Sequence, residues 1–377
     1  MPKRIQPHIL SLFSGCGGLD LGFHNAGYRT VWANDINKWA METFHCNFPE
    51  AVVSDADIAS VNPKNKSVPN CDLIIGGFPC QDFSIVWKQP GLDGDRGNLY
   101  KHYLRFIEAK KPKAFVAENV KGLLTANKGR AIEEILKGFE GKNYMVKIQL
   151  YNFADYGVPQ FRERVIIVGI RLDTGFHFVH PAPTHGNGRQ FPYMTARQAL
   201  KGVEKDVVRQ KSPKFNKNEI KIADKTREML KKIPEGGNFQ DIPQEDPYYV
   251  KGLISHVYRR LNRNEPAKTI IAAGGGGTWG YHYPEPRPLC NRERARLQSF
   301  PDDFEFVGSV PEIRRQVGNA VPPDGVKLVA ERLMPLFTGN YVRVGLRKIR
   351  DKLQTLSIKE RLLYDLPHSK INMSEGG

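Results

Sequence analysis

The feature that most constrains this chain is an alternation. Short apolar runs recur at 8–15 (HILSLFSG), 28–35 (YRTVWAND), 71–77 (CDLIIGG), 113–118 (KAFVAE) and 164–171 (RVIIVGIR). Helical patterns fill 36–46, 98–110 and 130–139 between them. Apolar runs of that length, bounded by glycine or an acid, read as buried strands. Strands alternating with helices build a doubly wound, parallel sheet covered on both faces. The expected fold class is therefore α/β and Rossmann-like. In such sheets ligands gather where strands end at their carboxyl edge. Here those ends carry Ser14-Gly15, Asp35, Pro79-Cys80 and Glu118-Asn119.

The alternation stops near residue 172. The segment 181–192 (PAPTHGNGRQFP) is dense in proline and glycine and reads as a linker. Residues 201–232 hold 11 Lys/Arg against 5 Asp/Glu, and turn signals follow at 234–237 (PEGG) and 274–277 (GGGG). About 190–290 is expected to be a second, smaller and irregular domain. Helical character returns from about 311, with 318–323 (GNAVPP) as a turn before a helix. Beyond Phe337 the tail is charged and expected to be partly helical.

A chain of 377 residues has room for one large domain and one small one. It contains no run of about 18 apolar residues, which argues against a transmembrane helix. The start, Met1 to Phe13, lacks the pattern of a signal peptide, so a cytosolic protein is expected. The five cysteines are odd in number and form no CxxC pair, which argues against a disulfide framework or a zinc site. Lys+Arg number 56 against 40 Asp+Glu, a net charge of +16. That surplus suits a polyanion, either nucleic acid or an anionic membrane surface. A basic surface that serves only solubility would explain it as well.

Glycines fill the turn after the first strand, Phe13-Ser14-Gly15-Cys16-Gly17-Gly18, and glycine lets backbone approach a ligand closely. The pattern is not GxGxxG, so a dinucleotide is not the default ligand. Asp35 ends the second strand, where a carboxylate can bind ribose hydroxyls. Asp57, further on, could accept from an adenine amino group. Singly these read as a tight turn and solvated acids; as an ordered set they point to a nucleoside-containing cofactor. Cys80 lies just past a strand end on a proline-stiffened turn, followed by polar residues, so it is presented outward. A thiolate is a strong nucleophile; the other four cysteines read as buried and inert. Glu118, in a cleft that raises its pKa, could act as an acid. In 160–164 (QFRER), alternation sets Gln160, Arg162 and Arg164 on one face. Two guanidinium forks there suit a phosphate or a base edge, although a salt-bridged surface would look the same.

At this point the ordered set FSGCGG, ND, DADI, GGFPCQDFS, GLDGDRGNLY, ENVKG, QFRERV, RERARLQSFP and GNAV resembles the cytosine-C5 DNA methyltransferases. The likeness runs from residue 8 to about 335. The separate motifs are short; their order, with a long variable region between QFRERV and RERARLQSFP, is specific.

The resemblance implies a sequence-specific DNA (cytosine-5)-methyltransferase that uses S-adenosylmethionine, releases S-adenosylhomocysteine and needs no metal. Cys80 would attack carbon 6 of a cytosine flipped out of the duplex. Glu118 would protonate or hydrogen-bond ring nitrogen 3. Arg164 would hold the cytosine oxygen, and Arg162 would position Glu118 or a phosphate. The activated carbon 5 would take the methyl group, and loss of its proton would release Cys80. Phe13 and Ile36 would pack on adenine, Gly15, Gly17 and Gly18 would line the methionine end, and Asp35 would bind ribose. Asp57 and Ile58 would read the adenine edge, and Leu99 would close the pocket. Leu19, Pro79, Asn319 and Val321 complete the expected cofactor contacts. Gln81, Ser84, Trp87, Gln160 and Thr269 are expected at the DNA, and residues 81–97 could close as a lid.

By the same resemblance, 1–185 forms the first part of the catalytic domain. Residues 186–305 form a mostly β target-recognition domain, 306–340 return to the catalytic domain, and 341–377 are a charged extension. The expected partners are double-stranded DNA and a separately encoded cognate restriction endonuclease, with no membrane. The protein is expected to be a monomer, cytoplasmic and at the nucleoid of a bacterium or archaeon. Two departures stand out: the bulky Val86-Trp87, and Cys290 where threonine is usual. The tail carries 8 Lys/Arg against 4 Asp/Glu; a solvated helix or a DNA contact would account for it. One branch of the family methylates tRNA, but the Cys-Phe-Thr signature typical of that branch is missing here. A binder without activity would be expected to lose Cys80 or the cofactor glycines, and this chain keeps both.

Overall fold

A computed structural model describes residues 5–79, 99–203, 222–249, 258–272 and 280–365. Cys80, Gln81, Ser84, Trp87, the glycine tract 274–277 and most of the basic stretch lie outside the described residues.

The strands are β1 (His8–Leu12), β2 (Arg29–Asn34), β3 (Val52–Ser54), β4 (Leu73–Gly76), β5 (Ala114–Val120), β6 (Tyr144–Asn152) and β7 (Glu163–Arg171). They form one sheet in the order β3-β2-β1-β4-β5-β7-β6. The pairs among β1 to β5 are parallel, as expected. The sheet is not parallel throughout: β7 runs antiparallel between β5 and β6.

Strand alternation sorts side chains onto two cores. On one face Ile9, Leu73, Ile75, Val116, Ile166 and Val168 meet α1 (Gly18–Asn25) and α9 (Pro323–Thr338). On the other, Leu10, Leu12, Ile74, Phe115 and Ile167 meet α3 (Leu99–Lys110) and α4 (Arg130–Glu140). The buried positions of α4, Ala131, Ile132, Ile135, Leu136 and Phe139, repeat at helical spacing. Phe115 and Phe139 pack tilted, with ring centroids 4.5 Å apart, and Tyr103 and Tyr144 lie edge-on to Phe115. Each such ring pair adds about 0.5–1.5 kcal/mol beyond area burial.

The segment after residue 306 closes back on the beginning of the chain. Gly22 of α1 lies so near α9 that an added Cβ would stand 2.5 Å from the Pro323 carbonyl oxygen. Tyr28 donates its hydroxyl to the Ala330 carbonyl at 2.9 Å. Thr43 of α2 (Lys38–Asn47) donates to the Gln316 side chain at 2.7 Å, which docks α8 (Val310–Asn319).

The tail is not a solvated helix. α10 (Leu346–Thr355) buries Leu346 and Leu353 in the core shared with α1 and α9, and α11 (Ile358–Leu363) packs beside it on β6. Two buried ion pairs fasten them, Lys147–Asp365 at 2.6 Å and Arg361–Glu140 at 2.7 Å. These explain why β6 escapes detection in the sequence. Lys147 and Gln149 interrupt its apolar run, yet both are buried.

The region 186–305 is irregular, but the strands expected there are absent among its described residues. It contains α5 (Ala196–Leu200), α6 (Asp224–Lys232), α7 (Asn291–Leu297) and isolated β-bridges. Met229, Leu230, Ile233, Phe239, Ile242 and Tyr281 make a small core of their own. Beside it the buried Arg260 donates to the carbonyls of Ile233 (2.6 Å) and His282 (3.3 Å). Polar bonds to backbone thus do part of what a ladder would do. No helix among the described residues is long and apolar enough to cross a membrane.

Candidate active site

The end of β4 is shaped by two glycines. A Cβ on Gly76 would lie 2.1 Å from the Leu12 carbonyl oxygen, and one on Gly77 would lie 2.9 Å from Oε2 of Glu118. The first glycine lets β4 approach β1. The second makes room for a carboxylate. Phe78 is buried and Pro79 exposed, and Asn119 donates its amide to the Phe78 carbonyl at 2.9 Å. The chain leading into Cys80 is therefore tied to β5.

The antiparallel course of β7 assembles the rest. Arg164 pairs with Val120, so Glu118 sits on the same face, one diagonal away. A parallel β7 would begin at the far edge of the sheet. Instead Nε of Arg164 reaches Oε1 of Glu118 at 2.7 Å, both side chains nearly buried at 13% and 11% exposed. Burial raises the pKa of Glu118 above the usual carboxylate value, against the opposing pull of Arg164 and Arg162. The carboxyl is thus held by one arginine and biased toward its protonated form.

Gln160 and Arg162 do not reach a ligand surface. Gln160 is wholly buried. Its amide donates to the Leu297 carbonyl at 3.1 Å and its oxygen accepts from the Ile270 N–H at 2.7 Å. A DNA contact through Gln160 is excluded by that burial. Arg162 is 1% exposed and donates to the carbonyls of Ile270 (2.9 Å), Gly318 (2.9 Å) and Ala320 (3.0 Å). The expected phosphate contact fails for the same reason, while its field on Glu118 remains. Thr269 is exposed, its hydroxyl donating to the Phe161 carbonyl at 2.8 Å. Lys268 stands beside it, 5.1 Å over the Phe161 ring.

The ends of β1 and β2 form a second, adjoining edge. Gly15 adopts φ +54°, and a Cβ on it would meet nothing within 4 Å, so the backbone there faces open space. Gly17 and Gly18 serve packing instead. A Cβ on Gly17 would lie 2.6 Å from the Phe48 ring, and one on Gly18 2.4 Å from the Val321 carbonyl oxygen. Asp35 is fixed by the N–H groups of Gly15 and Asn37, both at 2.9 Å, and burial raises its pKa. Ile36 is 71% exposed, an apolar side chain left open by the described residues. Phe13 holds a left-handed φ of 52°, which is uncommon away from glycine and gathers at ligand sites. Asp57 is exposed and caps the Ala59 N–H at 2.9 Å. Asn319 is exposed and Leu99 half-buried. Leu19, Ile58 and Val321 are buried in the cores, so their side chains brace this edge from behind. An open glycine turn, a fixed carboxylate and an exposed apolar side chain fit a nucleoside with a polar tail.

Two contributors went unassigned from sequence. Gly77 and Asn119 touch the key groups without being reactive. Their signal was the second glycine of the doublet and the amide next to Glu118.

Comparison with known proteins bears on what this arrangement does. Residues 8–334 match the family model described as C-5 cytosine-specific DNA methylase. The chain is 61% identical over 363 residues to type II methyltransferase M.NgoFVII of Neisseria gonorrhoeae, covering 96% of this chain and 94% of the relative. It is 42% identical over 351 residues to type II methyltransferase M.BbvI of Brevibacillus brevis, covering 86% and 90%. A solved structure, a putative DNA modification methyltransferase encoded within an E. coli prophage, superposes with a TM-score of 0.66 at 22% identity. It covers 88% of this chain and 100% of that one, and the likeness concerns the fold.

Proposed function

The chain belongs to the C-5 cytosine-specific DNA methylase family and is a DNA (cytosine-5-)-methyltransferase; from that premise we propose that Cys80, Glu118 and Arg164 carry its chemistry. The observation that carries this reading is the nearly buried Glu118–Arg164 pair, 2.7 Å apart, with Gly77 beneath the carboxylate. Cys80 follows three residues later.

The Cys80 thiolate attacks carbon 6 of a flipped cytosine, and its electron pair forms the S–C6 bond. Pyrimidines are poor electrophiles, so the ring must be polarised first. Glu118, biased toward protonation by burial, donates to ring nitrogen 3. Arg164 holds the cytosine oxygen and keeps Glu118 aimed. Ring electron density then resides at carbon 5. When bound, S-adenosylmethionine supplies an electrophilic methyl group to that carbon. Loss of the carbon-5 proton to a base, with the nitrogen-3 proton returning to Glu118, lets the S–C6 bond break and frees Cys80 as the thiolate.

The family is S-adenosylmethionine-dependent. The contacts we assign to it are those of the open edge: Gly15 backbone at the methionine end, Asp35 on ribose, Phe13 and Ile36 against adenine, Asp57 at its amino edge. Double-stranded DNA is the substrate rather than tRNA, in keeping with relatives named type II methyltransferases. Residues 186–305 read the sequence, with Thr269 and Lys268 at the backbone. The protein acts as a monomer at the nucleoid, and a cognate endonuclease is encoded separately.

The test uses tritiated S-adenosylmethionine, unmethylated plasmid DNA and conversion sequencing, with Cys80→Ala alongside. Label at cytosine within one short motif, lost in the variant, is expected and also reveals the recognition sequence. Label that persists without Cys80, or that appears in tRNA alone, would overturn the assignment.

A further inference from the structure

Arg162 is a buried charge that no ligand can touch. Its donors go to backbone carbonyls in two separate stretches of chain, Ile270 on one side and Gly318 with Ala320 on the other. Thr269, exposed, directly precedes Ile270. Asn319, exposed, lies between Gly318 and Ala320, and the next carbonyl, that of Val321, rests against Gly18 at the cofactor turn. The geometry points to Arg162 as a positioning residue that couples the binding of DNA to the binding of S-adenosylmethionine. The inference rests on the proposed function, which puts DNA beside 269–272 and the cofactor beside 318–321.

Three observations support a joint of this kind. First, the two stretches are in direct backbone contact: a Cβ on Gly318 would lie 2.2 Å from the Ala272 nitrogen and 2.3 Å from the Ile271 carbonyl carbon. Neither can shift without displacing the other. Second, the segment before β7 is laced along 267–270. The Phe161 N–H donates to Ala267 at 2.8 Å, the Ala267 N–H to Pro159 at 2.9 Å, and Gln160 accepts from Ile270. Arg162 ends that lacing and is the member that also crosses to 318–320; Gln160 holds Ile270 and Leu297 alone. Third, charge-assisted donors aimed at three buried carbonyls are strong, and removing them leaves acceptors unsatisfied. A ligand that orders one stretch therefore lowers the ordering cost of the other, which is positive coupling between sites. The same guanidinium bears on Glu118, so the coupled state is also the one in which the acid is set.

The test measures S-adenosylhomocysteine binding by calorimetry, with and without a short duplex carrying the mapped recognition motif. The product is used so that the complex does not turn over. In the wild-type protein the duplex is expected to tighten S-adenosylhomocysteine about 10-fold, within the usual span of allosteric couplings. Arg162→Lys keeps the charge but cannot fork to both stretches. It is expected to bind each ligand alone within about 3-fold of wild type, while the enhancement falls below about 2-fold. In steady state its KM for S-adenosylmethionine at saturating DNA should rise more than its kcat falls. Thermal melting checks folding. If Arg162→Lys does not fold, Arg162→Gln, whose shorter amide can donate to one stretch but not to both, answers by the same criterion. A wild-type protein without enhancement, or a folded variant that keeps it in full, would overturn the coupling. A wild-type protein that binds neither duplex nor S-adenosylhomocysteine would instead refute the proposed function beneath it.

Discussion

Replacing Arg164 by methionine tests the electrostatics of the site most directly. The substitution keeps an unbranched, apolar side chain of similar reach and removes the guanidinium 2.7 Å from Glu118. Two unit charges about 4 Å apart attract by about 4 kcal/mol at an effective dielectric near 20. Breaking one side of a buried pair costs roughly 3–5 kcal/mol, because a charge is left alone. Both side chains are close to buried, so little of this is lost to solvent. The cost should depend on pH in a definite direction. Burial already raises Glu118, and Arg164 is the larger of the two forces opposing that rise. Without it the folded-state pKa climbs further above the unfolded value. A carboxyl raised in this way contributes full stability below its unfolded pKa and loses it as pH rises through the folded pKa.

Urea unfolding of Arg164→Met should therefore show a deficit of about 3–5 kcal/mol at pH 8 that shrinks steadily toward pH 5. Combining it with Glu118→Gln removes both charges and should recover much of the loss. Single-turnover methylation should fall in height if Arg164 holds the cytosine oxygen as proposed. Its alkaline limb, set by deprotonation of Glu118, should move to higher pH. A deficit that is equal at all pH values, or that grows toward acid, would refute the view of Glu118 as a carboxyl poised by burial against Arg164.

Three further outcomes follow from other parts of the molecule. Asp20 is fully buried, accepts from Ser11 and Thr30 at 2.8 Å, and has its pKa raised by burial from 3.8 to about 6. Stability should fall by about 3 kcal/mol as pH rises across that interval, and urea melts of Asp20→Asn should lose the trend; an unchanged pH profile would place its origin elsewhere. Asp365→Ala strands the buried Lys147 and should cost about 3–5 kcal/mol in denaturant melts, with DNA affinity of the folded protein unaltered; weaker DNA binding would contradict the placement of the tail on β6. Cys290 caps α7 through Sγ, which accepts from the Glu293 N–H at 3.5 Å. Cys290→Thr offers a better acceptor and should stabilise by roughly 0.5–1 kcal/mol, seen as a higher Tm at unchanged activity; a lower Tm would mean that packing of the sulfur outweighs the cap.

Much of the frame is legible in the sequence because burial writes itself as apolar runs. The helices expected over 36–46, 98–110 and 130–139 are found at Lys38–Asn47, Leu99–Lys110 and Arg130–Glu140. What is not legible is burial of polar groups. Lys147 marks β6 as half-solvated until the structure supplies Asp365, more than two hundred residues away. Gln160 reads as an outward amide until Ile270 and Leu297 enclose it. Glycine is ambiguous for a related reason: the pattern of the turn is visible, but whether the absent side chain makes room for a ligand or for the protein depends on what arrives from elsewhere. At Gly15 the space is open, at Gly18 a carbonyl from residue 321 fills it, and at Gly77 the carboxylate of Glu118 does. Strand direction is equally hidden, since an apolar run looks the same whichever way it enters the sheet.

The two arginines of the QFRER segment show how far that last point reaches. Alternation puts Arg162 and Arg164 on one face, and from the sequence they are two copies of one device. In the fold the ladder of β7 begins at Glu163, between them. Arg164 belongs to the sheet, and pairing with β5 delivers it to Glu118. Arg162 still belongs to the lead-in segment, whose partners are 267–270, so its guanidinium is turned into the seam between two chain stretches. Two positions along the chain separate an arginine delivered to Glu118 from one spent on backbone carbonyls. Exchanging their roles would require moving the start of β7, and with it the acid, the glycine that makes room for it and the seam together.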